Sequence, residues 1–476
     1  MHDMSMKCYL VDRILSFDIR PPTTQILIIS LHLTFLAAIL LAACNQADSV
    51  DVSVKIEAVP EVVFFDGTIL TMEDEQPRAS AILIRGEKIV AVGETGNVLV
   101  QAGPGSTLVD LEGRTVLPGF IDSHSHRFGW TLTSHGYESL EAAIQAALEQ
   151  GWTGLHELDV NGDLAETLRR LDERRQLRLR VAGYLGTNSP IWDKPIGAQL
   201  DAYEPNIYSP YLRITGVKIF MKPDSEFYLD EETLNWRLPQ LHNNGWQIAI
   251  ESVNSQTLEI VLNAFELALE GDDNSASRHR IEHVVAITDE QVTRMANMGI
   301  IASIQMNVPA SLLSADYRDA LHQLVQEEPV GTVARWRDLV EAGVHIIGNT
   351  DFPSIDMEII EGPAPGSPIR LLYRGVTRTW ADKQPPETWM LDQTLTVEQA
   401  LRLMTINAAY ASFDEDSRGS LAPGKLADLV ILSANPLEVP SDELTEIEVL
   451  MTMVGGKVEW CQIAYESFCP GNNNLD

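Results

Sequence analysis

Basic residues are scarce in this sequence. The chain of 476 residues contains 34 Lys and Arg against 68 Asp and Glu, so its formal net charge is −34. A protein that binds nucleic acid needs a basic face to neutralise phosphates, so this charge balance argues against a nucleic-acid partner. The acidic residues are spread along the chain, which is typical of a solvated surface.

Long apolar runs are also few, and one near the N-terminus stands out. Residues 26–43 are almost wholly apolar and lead directly into Cys44. This ending, LAAC, resembles the lipobox of bacterial lipoprotein signals. The resemblance implies that residues 1–43 are a signal peptide and that Cys44 is acylated. The alternative is an uncleaved membrane anchor, because the run is nearly long enough to span a bilayer.

A lipobox implies an exported protein that is lipid-anchored in the cell envelope. Asn45 after the cysteine favours the outer membrane of a Gram-negative bacterium, facing the periplasm or the exterior. Export also implies an oxidising compartment, and of the four cysteines Cys461 and Cys469 lie close together near the C-terminus. We therefore expect a disulfide between these two, with metal ligation as the alternative.

Strand-like runs separated by hairpin residues occur at both ends of the mature chain. They lie within residues 61–117 and 420–462, and neither set is long enough to bury a face alone. The pattern predicts one small β-sandwich domain built from both segments. Residues 44–60 are then a tether, and residues 463–476 are a C-terminal tail.

Residues 118–419 alternate between short apolar runs and helix-like stretches. Eight such runs predict the strands of a parallel sheet: residues 119–121, 154–158, 179–184, 214–221, 246–250, 280–285, 300–304 and 345–348. Eight strand–helix units in roughly 250 residues favour an α/β fold of the (β/α)8 TIM-barrel type. An open doubly wound sheet is the alternative, but no Gly-rich phosphate loop follows the first strand.

In such a barrel, catalytic groups collect where the strands end. Six of the eight predicted strand ends carry a metal ligand or general base: His124 with His126, His156 with Glu157, Lys218, Glu251, His283 and Asp351. His124 and His126 are two residues apart on a strand, so both imidazoles can bind one cation. Zn²⁺ accepts such ligands and lowers the pKa of a bound water to about 7, and Asp351 can take the proton.

The motifs around these residues resemble those of the amidohydrolase superfamily, and within it most closely the amidohydrolases related to N-substituted formamide deformylase. The matching segments are LPGFIDSHSH at 117–126, GVKIF at 216–220, RIEH at 280–283, GIIASIQ at 299–305, NTDFP at 349–353 and GSLAPGKLADLV at 419–430. The resemblance implies a metal-dependent hydrolase that cleaves carbon–nitrogen bonds other than peptide bonds. Its expected partner is a small amide-type substrate.

Carried over residue by residue, the resemblance implies a metal site on one or two divalent ions, with zinc favoured. His124 and His126 would bind the more buried ion, His283 would be a further ligand, and Asp351 would be both ligand and proton shuttle. Lys218 matches a lysine that some members carboxylate to bridge two metals. Lys222 is a competing candidate for that role.

One departure from the family pattern bears on the number of metals. Glu251 stands where relatives carry a histidine on strand five. If Lys218 is carboxylated, it and Glu251 are two neighbouring anionic ligands, which favours two cations. We slightly prefer this two-metal form. With an unmodified Lys218, the ammonium would pair with Glu251, and one metal would remain on His124, His126 and Asp351. The alternative function is a catalytically silent lipoprotein of this fold that binds a small molecule.

Overall fold

The computed structural model describes residues 59–186, 205–221, 229–270, 276–307, 328–353, 366–379, 388–464 and 469. The predicted signal peptide, Cys44 and Lys222 lie outside these ranges. Within the described ranges, no helix is both long enough and apolar enough to cross a membrane.

The strands are β1 (Glu61–Leu70), β2 (Arg78–Arg85), β3 (Lys88–Gly93), β4 (Thr107–Asp110), β5 (Thr115–Pro118), β6 (Phe120–Ser125), β7 (Trp152–Val160), β8 (Arg180–Gly186), β9 (Asn206–Ile207), β10 (Leu212–Ile219), β11 (Gln247–Ser252), β12 (Arg280–His283), β13 (Ile301–Gln305), β14 (Ile346–Asn349), β15 (Leu429–Leu432), β16 (Val449–Val454) and β17 (Lys457–Cys461). The helices are α1 (Thr95–Leu99), α2 (Arg127–His135), α3 (Leu140–Glu149), α4 (Gly162–Glu173), α5 (Glu231–Asn243), α6 (Ser255–Ala268), α7 (Asp289–Met298), α8 (Trp336–Glu341), α9 (Pro368–Thr377), α10 (Thr388–Leu391), α11 (Val397–Leu403) and α12 (Ile406–Ala411).

The first sheet joins the two ends of the described chain. Its strand order is β17-β16-β15-β5-β1-β2-β3, with β4 paired to β1. The junction is the antiparallel pair of β5 and β15, in which Leu117 faces Val430. Apolar side chains from both halves share one buried core, among them Phe64, Ile82 and Met451. Strands from opposite ends of the sequence therefore bury a face that neither set buries alone.

The second sheet is the barrel wall. Its parallel strands follow the order β6-β7-β8-β10-β11-β12-β13-β14, and β9 adds an antiparallel pair to β10. The wall closes between its first and last strands. The Ser123 hydroxyl donates to the carbonyl of Gly348 over 2.8 Å, and the Asp351 amide donates to the carbonyl of His124 over 2.9 Å. The predicted fold class, a (β/α)8 barrel with a separate β domain, is confirmed.

Helices cover the outer face of the barrel because each presents an apolar stripe to a strand that is buried on both sides. On α6, Leu258, Val261 and Phe265 are fully buried in the same core as Ile248 and Ile250 of β11. Side-chain caps set where these helices begin. Asn254 accepts from the amide of Thr257 at the start of α6, and α7 begins with a complete capping box.

A buried ion pair joins the barrel to the β domain. The guanidinium of Arg180 on β8 binds both carboxylate oxygens of Asp428, at 2.6 and 2.8 Å. The amide of Gly455 donates to the same carboxylate over 2.8 Å. This contact lies at the N-terminal ends of the barrel strands, opposite the ends where catalytic groups collect.

The buried imidazole of His279, just before β12, should make the stability of the fold sensitive to acid. Its Nδ1 accepts the amide of Ile248 over 3.0 Å, and burial together with His242 lowers its pKa to about 3. In the unfolded chain, the His279 imidazole takes up a proton with a pKa of about 6.5. The contribution of the neutral, buried ring to the unfolding free energy is therefore present above pH 6.5 and is lost as the pH falls towards 3. We expect the titration of His279 alone to lower the unfolding free energy by about 2–3 kcal/mol as the pH falls from 6.5 to 4.5.

Urea unfolding of the wild type and of His279→Asn at several pH values checks this expectation. Asparagine keeps an acceptor for the Ile248 amide but does not titrate, so the variant should show a shallower pH dependence in this range. Equal pH dependence in both proteins would contradict the assignment.

Candidate metal centre

Three side chains converge at the ends of the first and last barrel strands. The Nε2 atoms of His124 and His126 lie 3.2 Å apart. The Oδ1 atom of Asp351 lies 3.2 Å from Nε2 of His124 and 3.4 Å from Nε2 of His126. Among the described residues, these three form the cluster whose geometry is able to hold a metal ion.

Hydrogen bonds on the far side of each ring fix which nitrogen faces the cluster. Nδ1 of His126 lies 3.0 Å from the carbonyl of Leu158, and Nδ1 of His124 lies 2.7 Å from the carboxylate of Glu282. Both partners are acceptors, so each Nδ1 carries the proton and each Nε2 directs a lone pair inwards. Burial, with the nearby ammonium of Lys218, lowers the pKa of His124 to about 3. The ring is therefore in the neutral form that binds metals.

This donor set fits a cation. Two imidazole lone pairs and a carboxylate oxygen within 3.2–3.4 Å of one another repel each other unless positive charge lies between them. Nitrogen and carboxylate ligands in this number, with further positions open, are typical of a catalytic zinc site.

The remaining predicted ligands lie beside this cluster and contact each other. Oε1 of Glu251 lies 3.2 Å from Nζ of Lys218 and 3.3 Å from Nε2 of His283. Nζ of Lys218 also lies 3.5 Å from Nε2 of His124. The structure thus brings all six predicted metal-site residues together. It pairs Lys218 with Glu251, as in the single-metal alternative.

Left-handed backbone conformations aim two of these side chains. Asp351 has a φ of 54°, and His283 has a φ of 74° at the end of β12. Such angles cost about 1–3 kcal/mol each in non-glycine residues and persist where the surroundings enforce them. Gln305 joins the two residues: its Oε1 lies 2.8 Å from Nδ1 of His283, and its Nε2 donates to Oδ2 of Asp351 over 2.6 Å.

The hydroxyl of Thr350 anchors the segment that carries Asp351. It donates to Oδ2 of Asp122 over 2.5 Å, and the Thr350 amide donates to Oδ1 over 3.0 Å. Asp122 also accepts from the amide of His124 over 3.3 Å. One buried carboxylate therefore ties the first ligand strand to the last. Serine at position 350 would offer the same hydroxyl.

Arg280 and Glu282 are not among the predicted site residues. Both are fully buried in the barrel interior and form an ion pair, at 2.5 Å between Nε and Oε1 and 2.9 Å between Nη2 and Oε2. Arg280 also donates to the carbonyl of Ser123 and the hydroxyl of Ser303. The pair thereby holds the carboxylate that binds His124. Their signal in the sequence was two opposite charges, two residues apart, on a strand otherwise buried.

Comparison with known proteins agrees with this geometry. A sequence profile of the Amidohydrolase family matches residues 131–459, which is more than half of the chain. The protein belongs to the amidohydrolase family. It is therefore a hydrolase, and the superfamily prediction is confirmed.

Individual relatives of the amidohydrolase are distant. It is 22% identical to Protein LONG AFTER FAR-RED 3 of Arabidopsis thaliana, over 84% of this chain and 91% of that protein. It is 28% identical to the N-substituted formamide deformylase of Arthrobacter pascens, but over only 45% of this chain and 37% of that enzyme. An uncharacterized metal-dependent hydrolase from Pyrococcus horikoshii shares its fold, with a TM-score of 0.64, 19% identity and coverage of 80% of this chain and 99% of the other.

His156 and Glu157 of the amidohydrolase do not join the metal centre. Strand β7 continues to Val160, so both residues lie within the strand and not at its end. His156 points into the barrel, where its Nδ1 accepts from Arg280 over 3.0 Å. Glu157 points the opposite way, towards α2. The apolar run ends at Leu158 in the sequence, which placed the strand end too early.

The two C-terminal cysteines of the amidohydrolase lie together. The Cα atoms of Cys461 and Cys469 are 6.3 Å apart, within the distance that a disulfide spans, and their sulfur atoms are in bonding contact. The two cysteines are therefore close enough for the predicted disulfide, which stays a prediction for the oxidised protein.

Proposed function

We propose that this amidohydrolase uses a divalent cation, zinc, to hydrolyse a carbon–nitrogen bond other than a peptide bond in a small amide-type substrate. The observation that carries the proposal is the convergence of Nε2 of His124, Nε2 of His126 and Oδ1 of Asp351 on one point. The relative named as a formamide deformylase supports the substrate class.

The neighbouring side chains support one cation over two. Lys218 is fully buried, and its Nζ forms an ion pair with Glu251 at 3.2 Å, so that carboxylate is already neutralised by the chain itself. Burial lowers the pKa of His283, but the hydrogen bond that its ring donates to the Glu251 carboxylate outweighs burial and raises that pKa above its ordinary value. His283 then donates to Glu251 through Nε2 and to Gln305 through Nδ1, and both contacts hold the ring beside the cation without making it a ligand.

When bound, the cation supplies Lewis acidity, which lowers the pKa of a water and polarises the scissile carbonyl. Asp351 holds and moves the proton. Burial raises the pKa of Asp351, but the hydrogen bond with His126 and the positive charge of His283 outweigh burial and keep the pKa below its ordinary value. The carboxylate is therefore ionised at neutral pH, ready to accept a proton and to deliver it to the leaving nitrogen. Gln305 keeps its second oxygen in place.

Metal content and substrate hydrolysis test the proposal together. Elemental analysis of the purified, zinc-loaded protein should give one zinc per chain in the wild type and in Glu251→Gln, and far less in His126→Ala. The loaded wild type should hydrolyse members of a panel of N-acyl, formamide and cyclic amide compounds, whereas chelator-stripped protein should not. Two zinc ions in the wild type that fall to one in Glu251→Gln would overturn the single-metal form, and absence of bound metal would overturn the function.

We further propose that the enzyme acts in the cell envelope, anchored by lipid on Cys44. The support is the LAAC ending of the apolar run at residues 26–43. Replacing Cys44 with Ser should abolish incorporation of labelled fatty acid, because the acceptor thiol is lost. Cys8→Ser is the matched control and should label like the wild type. Continued labelling of the Cys44 variant would contradict the proposal.

A further inference from the structure

Glu157 is a fully buried carboxylate that the metal centre does not contact. Its neighbours on β7 face the barrel interior: His156 binds Arg280, and Leu158 packs with Tyr184 and Ala249. Because side chains alternate along a strand, Glu157 points outwards to the helix layer. There it meets the N-terminus of α2.

The contact is with the first turn of that helix. Oε1 of Glu157 accepts the backbone amide of Gly129 over 2.8 Å. The nine-residue helix α2 begins immediately after His126, and the carbonyl of His126 accepts its first helical hydrogen bond, from Trp130 over 2.9 Å. A negative charge at this end satisfies an otherwise unpaired amide and the helix dipole. The metal ligand His126 is thus the residue that starts the helix anchored by Glu157.

Strand β7 therefore holds His126 in two ways. The carbonyl of Leu158 accepts Nδ1–H of the His126 ring over 3.0 Å, and Glu157, one residue earlier, fixes the helix that continues from the His126 backbone. The amide of His126 donates to the carbonyl of Phe352 over 2.7 Å. Ring and backbone are each tied to a neighbouring strand segment.

A contribution to folding stability does not by itself explain why position 157 carries a carboxylate, because its second oxygen is buried without a partner. Oε2 is buried and has no hydrogen-bond partner, and no ion pair to Glu157 is found among the described residues. Burial raises the pKa of Glu157 to about 7 and outweighs the amides of Gly129 and Phe128 and the charges of His126 and Arg127, which lower it, so the protein interior disfavours the charge. A buried carboxylate without a paired cation is a cost to folding. A functional demand on its contact with α2 explains why the cost is tolerated.

We propose that Glu157 is a positioning residue for His126, and that its contact with the first turn of α2 sets the direction of the His126 imidazole towards the cation. The inference rests on the proposed metal-dependent function. It assigns to Glu157 on β7 a part in the metal site without any contact to the metal.

Cobalt binding to the metal-free protein tests the proposal, because the visible spectrum of Co²⁺ reports ligand geometry as well as occupancy. Glu157→Gln removes the charge at almost constant volume. We expect its Kd for Co²⁺ to rise about 10–100-fold, as for other residues that orient metal ligands, with a changed visible spectrum. Its metal-free form should unfold at the same temperature as the wild type or higher, since an unpaired buried charge is gone. Glu157→Asp, which keeps the charge but not the reach to Gly129, should weaken cobalt binding as well.

Asp428→Asn is the matched control, since it removes a buried carboxylate at the opposite end of the barrel. It should lower the unfolding temperature and leave the Kd for Co²⁺ unchanged. Wild-type cobalt affinity and spectrum in both Glu157 variants would overturn the positioning role, as would a loss of stability in Glu157→Gln with unchanged affinity. A wild-type protein that binds no Co²⁺ would instead overturn the proposed function, so the two failures are distinguishable.

Discussion

Replacing Glu282 with Gln is expected to lower the unfolding free energy of the metal-free protein by about 3–5 kcal/mol, because the change leaves the fully buried guanidinium of Arg280 without its counter-charge. The same change should weaken zinc binding about 10–100-fold. Oε2 of Glu282 accepts Nδ1–H of His124 over 2.7 Å, and the charge of that carboxylate makes Nε2 a better donor to the cation. Urea unfolding and zinc competition with a chelator measure the two effects separately.

A double variant separates the two roles of Glu282. Combining Glu282→Gln with Arg280→Met removes both buried charges, so much of the lost stability should return. Zinc affinity should stay low, since the anionic partner of His124 is still missing. A single variant as stable as the wild type would show that the pair is not a coupled unit. Recovery of zinc affinity in the double variant would show that Glu282 acts on the metal only through stability.

The barrel itself could be predicted from the sequence because its signals are local. Parallel strands buried on both faces appear in the sequence as short apolar runs. The amphipathic helices between them begin with capping residues such as Asn254 and Thr288. Helix α7 (Asp289–Met298), for example, begins after its Thr288 cap and ends before Gly299. Pairing of the two terminal segments followed from a physical need, since neither set of strands can bury a face alone.

The histidine pair was predictable for a similar reason, whereas the orientation of His283 was not. Residues two apart on a strand share a face, which places His124 beside His126. On β12 the same rule turns Arg280 and Glu282 inwards and would turn His283 outwards. The left-handed conformation at His283 and at the following Val284 reverses that direction. No residue in the segment signals this, because neither is glycine or asparagine.

Contacts between distant segments account for the rest of what the sequence did not show. Glu282 and His124 are 158 residues apart, and Thr350 and Asp122 are 228 residues apart. A single sequence can propose that both pairs lie in one barrel, but it holds no information on which buried carboxylate meets which donor. The anchoring of α2 by Glu157 is of the same kind, with an added error of local origin, the misplaced end of β7.

Replacing Asp351 with Asn is expected to reduce turnover of the amide substrate found in the panel by about 10²–10⁴-fold, the contribution of a positioned general acid–base group. Asparagine has nearly the same size and keeps an oxygen that can accept from Gln305, as Oδ2 does now over 2.6 Å, but it cannot take up a proton. The ionised carboxylate beside His124 and His126 is what the variant removes.

The comparison must be made at saturating zinc, with zinc content measured in each protein, because Asp351 is also a candidate ligand and its loss weakens binding. Asp110→Asn, the same chemical change at an exposed position of β4, should retain full activity. If turnover of Asp351→Asn stays low when its zinc site is full, the loss is due to proton transfer and not to weaker metal binding. If Asp351→Asn left both turnover and the affinity for a small-molecule ligand unchanged, the carboxylate would have no role in catalysis. The alternative of a silent binding protein on the amidohydrolase fold would then account better for the pocket.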